Sequence, residues 1–250
     1  MHTNIGFYKE EEMIIMLNNK MFSELSNNGK HIIREIYGHP KDDDVVHCRK
    51  VEDFIKPDFI IEMNGIEHFI SMKSGSSEVV HQEYVKNFCT FLKENGISDE
   101  TIETILLYQY GDGTLDGTGK ERIEYNKLRF ILSERIKNAN TELNVNKDFV
   151  LNIINRSIFK GVNINNIEAD YLYHGDTDYG ILVSKVQMMK HCKRRDWDWM
   201  DNLHIGPLQL RPHARYIGKP IVKPLSRERL ELYWAKYYAD LDYISKRYDG

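Results

Sequence analysis

The dipeptide Asn64-Gly65 constrains this chain more than any other pair of residues. It lies between two short apolar runs, and it is the pair most suited to a two-residue hairpin turn, because both central residues of such a turn need positive φ. With the turn at Asn64-Gly65 the flanking residues pair in order, from Met63 with Ile66 to Phe59 with Ile70. Asp58 then falls opposite Ser71. Side chains alternate between faces along a strand, so Asp58, Ser71 and Lys73 are expected on one face at one end of the hairpin. A carboxylate, a hydroxyl and an ammonium would meet there without help from a distant loop.

The surrounding pattern predicts helix, three strands, helix. Apolar residues at helical spacing mark Glu10 to Leu17 and Gly29 to Tyr37, with Ser26-Asn27-Asn28 as a break or N-cap and Gly38-His39-Pro40 as a stop. Val45 to Val51 reads as a strand before the hairpin. Ser74-Gly75-Ser76-Ser77 reads as a turn into a helix from about Glu78 to Lys93. Beyond Gly96 helices are expected near 98–108, 121–138 and 146–159. Strands follow near 169–173, 180–184 and 203–210, and then a final helix over 227–248. With no repeats and no low-complexity linker, the reading is one domain over 1–250: a core at about 20–95, a helical insertion at about 97–161, and C-terminal strands and a basic helical part at 165–250.

Pro57-Asp58, the hairpin and Ser71-x-Lys73 together resemble the PD-(D/E)xK nuclease superfamily, with Ser71 where that family carries its second acid. The resemblance implies an α/β (α+β) fold with a restriction-endonuclease-like αβββα core, a mixed sheet flanked by helices. It further implies Mg²⁺- or Mn²⁺-dependent hydrolysis of DNA. Asp58 and the Met72 backbone carbonyl would be metal ligands, and Lys73 would orient the attacking water or neutralise phosphate charge. Because Ser71 lacks a carboxylate, the second acid is expected from elsewhere: Glu83, by analogy with enzymes that recruit a glutamate from the following helix, or Glu35 or Glu24 from the N-terminal helical region. His81, in the first turn expected after the hairpin, is placed to contact phosphate or a metal-bound water, or to serve as a core histidine. The alternative is a non-catalytic nucleic-acid-binding or scaffold protein on a degenerate nuclease fold.

Charge bears on the partner. The chain of 250 residues has a formal net charge of −4, yet residues 185–250 hold 14 Lys and Arg against 8 Asp and Glu. A basic C-terminal part on an acidic body fits either phosphate contact on one face or plain solubility. Lys193, Arg194 and Arg195 beside Trp197 and Trp199, and Arg211 and Arg215 along an extended segment, are the expected DNA contacts. Superfamily members commonly act as dimers, which suits two-strand cleavage. Three widely spaced cysteines (Cys48, Cys89, Cys192), no apolar run of bilayer length and no signal-like N-terminus lead to the expectation of a cytoplasmic protein with no membrane partner. Asp112-Gly113-Thr114-Leu115-Asp116-Gly117 resembles a calcium loop, but the twelfth position is Ile123, which excludes an EF-hand and leaves a glycine-rich turn.

Overall fold

A computed structural model describes residues 5–51, 56–119, 121–162, 167–197, 202–213 and 224–247. In chain order the elements are α1 (Ile5–Leu17), β1 (Lys20–Met21), α2 (Asn27–Tyr37), β2 (Val45–Lys50), β3 (Phe59–Met63), β4 (Ile66–Lys73), β5 (Val79–Tyr84) and α3 (Val85–Glu94). Helices α4 (Asp99–Tyr110), α5 (Tyr125–Ile131), α6 (Ser133–Val145) and α7 (Lys147–Asn155) follow, the last running into a π turn at Arg156–Lys160. The chain closes with β6 (Tyr171–Gly175), β7 (Gly180–Ser184), α8 (Lys185–Arg194), β8 (His204–Ile205), β9 (Leu208–Pro212), α9 (Pro224–Arg227), β10 (Arg229–Trp234) and α10 (Tyr237–Arg247). These segments form two compact units, one of residues 1–77, 154–191 and 236–250 and one of 78–153 and 192–235.

The first unit is built on a six-stranded sheet in the order β1-β2-β3-β4-β6-β7. Every pairing is antiparallel except β4 with β6. A parallel pair cannot be joined by a tight turn, and the long excursion between Lys73 and Tyr171 supplies the crossover. On one face Met13 and Leu17 of α1 and Ile32, Ile33 and Ile36 of α2 are buried against Val46, Cys48, Phe59, Ile61, Met63, Ile70 and Met72. Helix α2 starts where its sequence dictates: the Ser26 side chain accepts from the Gly29 N–H at 3.1 Å, and Gly38, at φ 77°, ends it. The mixed sheet flanked by helices is the expected fold class.

The second unit holds a four-stranded antiparallel sheet in the order β5-β10-β9-β8, with α3 to α6 in the same unit. Two expectations fail here. The helix predicted from Glu78 is strand β5 as far as Tyr84, and only then helix α3. The helix predicted from Arg227 is mostly strand β10, and α10 starts only at Tyr237. In β10 the period is two, with Leu230, Leu232 and Trp234 buried and Arg229, Glu231 and Tyr233 more exposed. β5 pairs with β10, Glu83 opposite Leu230 and His81 opposite Leu232, and a bulge at Val80 shifts the register before Val79 meets Tyr233. All three cysteines are free thiols and buried, and burial pushes the Cys48 and Cys89 thiols up to about 12. Among the described residues no helix is long and apolar enough to cross a membrane.

Candidate active site

Asn64 and Gly65 adopt φ values of 54° and 76°, as a tight hairpin of this kind needs. The register of β3 on β4 runs from Met63 opposite Ile66 to Phe59 opposite Ile70. One residue further, the Asp58 N–H donates to the Ile70 carbonyl at 2.8 Å. The Asp58 side chain folds onto the end of β4. Its Oδ2 accepts from the Met72 N–H at 2.6 Å and from the Ser71 hydroxyl at 3.3 Å. Oδ1 has no hydrogen-bond partner among the described residues. Burial pushes the Asp58 carboxyl above the usual range, against the opposing pull of the Met72 N–H, Lys56, Lys73 and Ser71.

Two lysines flank this carboxylate. Lys73 ends β4 and makes no ion pair within 4.0 Å among the described residues. Lys56 loses basicity, chiefly through desolvation and then through the like charge of Lys73, and its ammonium falls to about 7, although part of the residue remains exposed. Gly161, at φ 74°, lets the chain pass close to Lys56; a Cβ there would lie 3.1 Å from that of Lys56.

The acid that shares this environment is Glu10 of α1, which sequence reasoning missed. Burial raises its carboxyl first, the charge of Asp58 raises it further, and Lys50 and Lys73 pull it down. Glu10 has no hydrogen bond or ion pair with any described residue. A signal existed: Glu10 precedes Met13 by three residues and Leu17 by seven, and both of those are fully buried, whereas Glu11 and Glu12 are exposed. Of three consecutive glutamates, Glu10 alone falls on the helix stripe that meets the core.

His174 of β6 is the sheet partner of Lys73. It is buried, its Nδ1 has no partner, and its ring meets the edges of Tyr237 and Tyr238 at 5.8 and 5.4 Å. Burial, with Lys73 adding to it, lowers its basicity.

The other expected residues lie elsewhere. Glu24 accepts from the Met21 N–H at 2.9 Å and caps a short turn. Glu35 sits on α2 with His31 3.9 Å away and lines cavities of about 400 and 500 Å³. Neither is among the groups that shift Asp58 or Glu10. Glu83 and His81 project from one face of β5 in the second unit, 3.3 Å apart. The helix on which both were expected is a strand. Met72, whose carbonyl was the expected metal donor, stays beside Asp58 and donates its N–H to Oδ2. Lys193 and Arg194 are exposed at the end of α8, the Arg195 guanidinium lies 4.2 Å over the Trp197 ring, and Arg211 projects from β9. Arg215 and Trp199 fall outside the described residues. In the glycine-rich turn Asp112 accepts from the Thr114 N–H and hydroxyl and pairs with Arg227, a structural use of its carboxylate.

Among the described residues no three His, Cys, Asp or Glu side chains cluster closely enough to enclose a metal. Oδ1 of Asp58 and the Glu10 carboxylate, without hydrogen-bond partners among the described residues, are hard oxygen donors of the type that suits Mg²⁺.

No family model matches the chain, and no curated protein matches it. Among solved structures, restriction endonuclease MspI in complex with its cognate DNA is similar over 92% of each chain, with a TM-score of 0.50 and 15% sequence identity. The fold is restriction-endonuclease-like. At that identity the likeness speaks to backbone architecture alone, and it includes the six-stranded mixed sheet that carries Asp58, Ser71 and Lys73.

Proposed function

We propose that the chain is a metal-dependent endonuclease that hydrolyses phosphodiester bonds in DNA. One observation carries this reading: the Asp58 side chain is fixed at the end of β4 by the Met72 N–H and the Ser71 hydroxyl, two residues from Lys73; Glu10, whose carboxyl the charge of Asp58 helps to raise, is the acid assigned the part that Ser71 cannot take. The DNA-bound state of the similar restriction endonuclease supports the choice of polymer.

In this reading the hairpin does the positioning. The Ser71 hydroxyl and Met72 N–H hold Oδ2 of Asp58, which turns Oδ1 outward as a ligand; Glu10 is the second carboxylate, and the Met72 carbonyl is a further donor in the same strand. A bound Mg²⁺ or Mn²⁺ would stabilise charge on phosphorus and lower the pKa of a water. Lys73, with no ion pair among the described residues, attracts the scissile phosphate and orients the attacking water. Lys56 adds a second cation beside Asp58 and, at its lowered basicity, accepts a proton near neutral pH. Action as a homodimer belongs to the proposal, since cutting both strands together calls for two sites; sedimentation of the DNA-bound chain checks it.

The test is cleavage of supercoiled plasmid in Mg²⁺ or Mn²⁺. The wild type nicks or linearises the DNA, and Asp58→Ala and Lys73→Ala each lower the rate by about 10²–10⁴-fold, the usual effect of removing a positioned catalytic group. Cleavage that survives both substitutions overturns the assignment. The serine at position 71 favours one other reading, a non-catalytic DNA-binding protein on this fold; DNA binding with no cleavage in either metal would establish it.

A further inference from the structure

We propose that the polar face of the second unit's sheet reads base edges in the major groove of duplex DNA, with the Arg211 and Arg229 guanidinium groups as its donors. The choice of DNA rests on the nuclease reading above, whereas the surface itself is independent of the active site.

Strand β10 lies between β5 and β9, and its alternation separates two faces. One is apolar, with Leu230, Leu232, Trp234 and Leu210 buried. The other carries Arg229, Glu231 and Tyr233 from β10, Arg211 opposite Glu231 on β9, and Gln82 opposite Glu231 on β5. Arg211 would ordinarily pair with the carboxylate directly across from it. Instead its guanidinium carbon lies 3.2 Å from the centroid of the Tyr233 ring, and it donates to the Gln209 side chain at 2.9 Å. Glu231 accepts from Gln82 at 3.1 Å and meets His213 at 2.7 Å. Arg229 is exposed and lies 6.0 Å from the Tyr84 ring centroid. Neither arginine pairs with a carboxylate among the described residues.

An arginine that serves only solubility needs no ring beneath it and no separation from the acid opposite. The Tyr233 ring and the Gln209 side chain hold the Arg211 guanidinium on two sides, and a guanidinium restrained in this way is a pre-organised donor for a planar acceptor pair. The O6 and N7 of guanine are such a pair. A carboxamide such as that of Gln82 matches adenine, and a carboxylate such as Glu231 accepts from cytosine N4. This face takes its polar side chains from β5, β10 and β9 together, and the major groove of B-form DNA is where such donors and acceptors meet base edges. The A-form major groove of RNA is too deep and narrow for such contacts.

The experiment selects duplexes from a randomised pool with the full chain, once with Ca²⁺ in place of Mg²⁺ and once in EDTA. Affinities for the selected duplex and for a scrambled one are then measured by fluorescence anisotropy. The wild type is expected to enrich one sequence. Arg211→Ala should weaken the selected duplex roughly 5- to 150-fold, which corresponds to the about 1–3 kcal/mol of a bidentate base contact, and leave the scrambled duplex nearly unchanged. Arg211→Lys keeps charge and fold but not the fork, so it should bind scrambled DNA normally and lose the preference; Arg229→Ala should relax a different base position. Equal loss on both duplexes with a smaller salt slope would make Arg211 a phosphate contact and overturn the proposal. So would a wild type that enriches nothing, or one that prefers RNA. Selection that persists in a chain unable to cleave plasmid would sink the active-site reading and leave this one standing; cleavage with selection indifferent to Arg211 and Arg229 would do the reverse.

Discussion

The β3–β4 hairpin and the β5–β10 pair are both antiparallel, and each carries an acid, the half-buried Asp58 at the open end of one and the buried Glu83 in the other. The hairpin is closed by two residues, so its register follows from its turn and could be read residue by residue. β5 and β10 are separated by more than 140 residues, and neither strand has its partner until the second unit assembles. Their acids differ as well. Glu83 faces His81 at 3.3 Å within its own strand, whereas Asp58 keeps one oxygen unpartnered beside two lysines and a second carboxylate. Burial alone does not mark a site; the difference lies in the charged neighbours, two lysines and a second carboxylate around Asp58 against a histidine beside Glu83.

Substituting the two glutamates tests that difference most strongly. Glu10→Gln should lower plasmid cleavage by about 10²–10⁴-fold, while Glu83→Gln, compared at equal folded fraction, should stay within about twofold of wild type. The opposite ranking would return the second acid to β5. A smaller effect separates strand from helix in β10. Leu232 is fully buried, so Leu232→Ala should cost about 2–5 kcal/mol in denaturant unfolding, and a cost below about 0.5 kcal/mol would mean that the alternation has been misread.

The smallest effect concerns Asp58 itself. Its folded-state pKa lies above its unfolded value, so the native state binds more protons between the two, and stability falls as pH rises through that window. Asp58→Asn removes the penalty. Its Tm at pH 7 should exceed that of the wild type. The gain should shrink as pH falls and vanish below about pH 3, where the carboxyl is protonated in both states. A variant that is both inactive and no more stable at pH 7 would indicate that the Met72 and Ser71 hydrogen bonds outweigh the cost of burial.

Local chemistry was enough to determine the hairpin, the Ser26 cap, the Gly38 stop and the order of the first elements. Each depends on neighbours a few residues apart, whose φ preferences and side-chain oxygens act before any tertiary contact forms. The convergence of Asp58 with Ser71 belongs to that class. Tertiary structure decided the rest. It turned residues 79–84 and 229–234 into strands, because a period-two stretch gains most when a partner strand covers its apolar face. It also decided which acid joins Asp58: Glu10, Glu24, Glu35 and Glu83 are equal as letters, and only packing α1 onto the sheet through Met13 and Leu17 brings one of them into the field of Lys73.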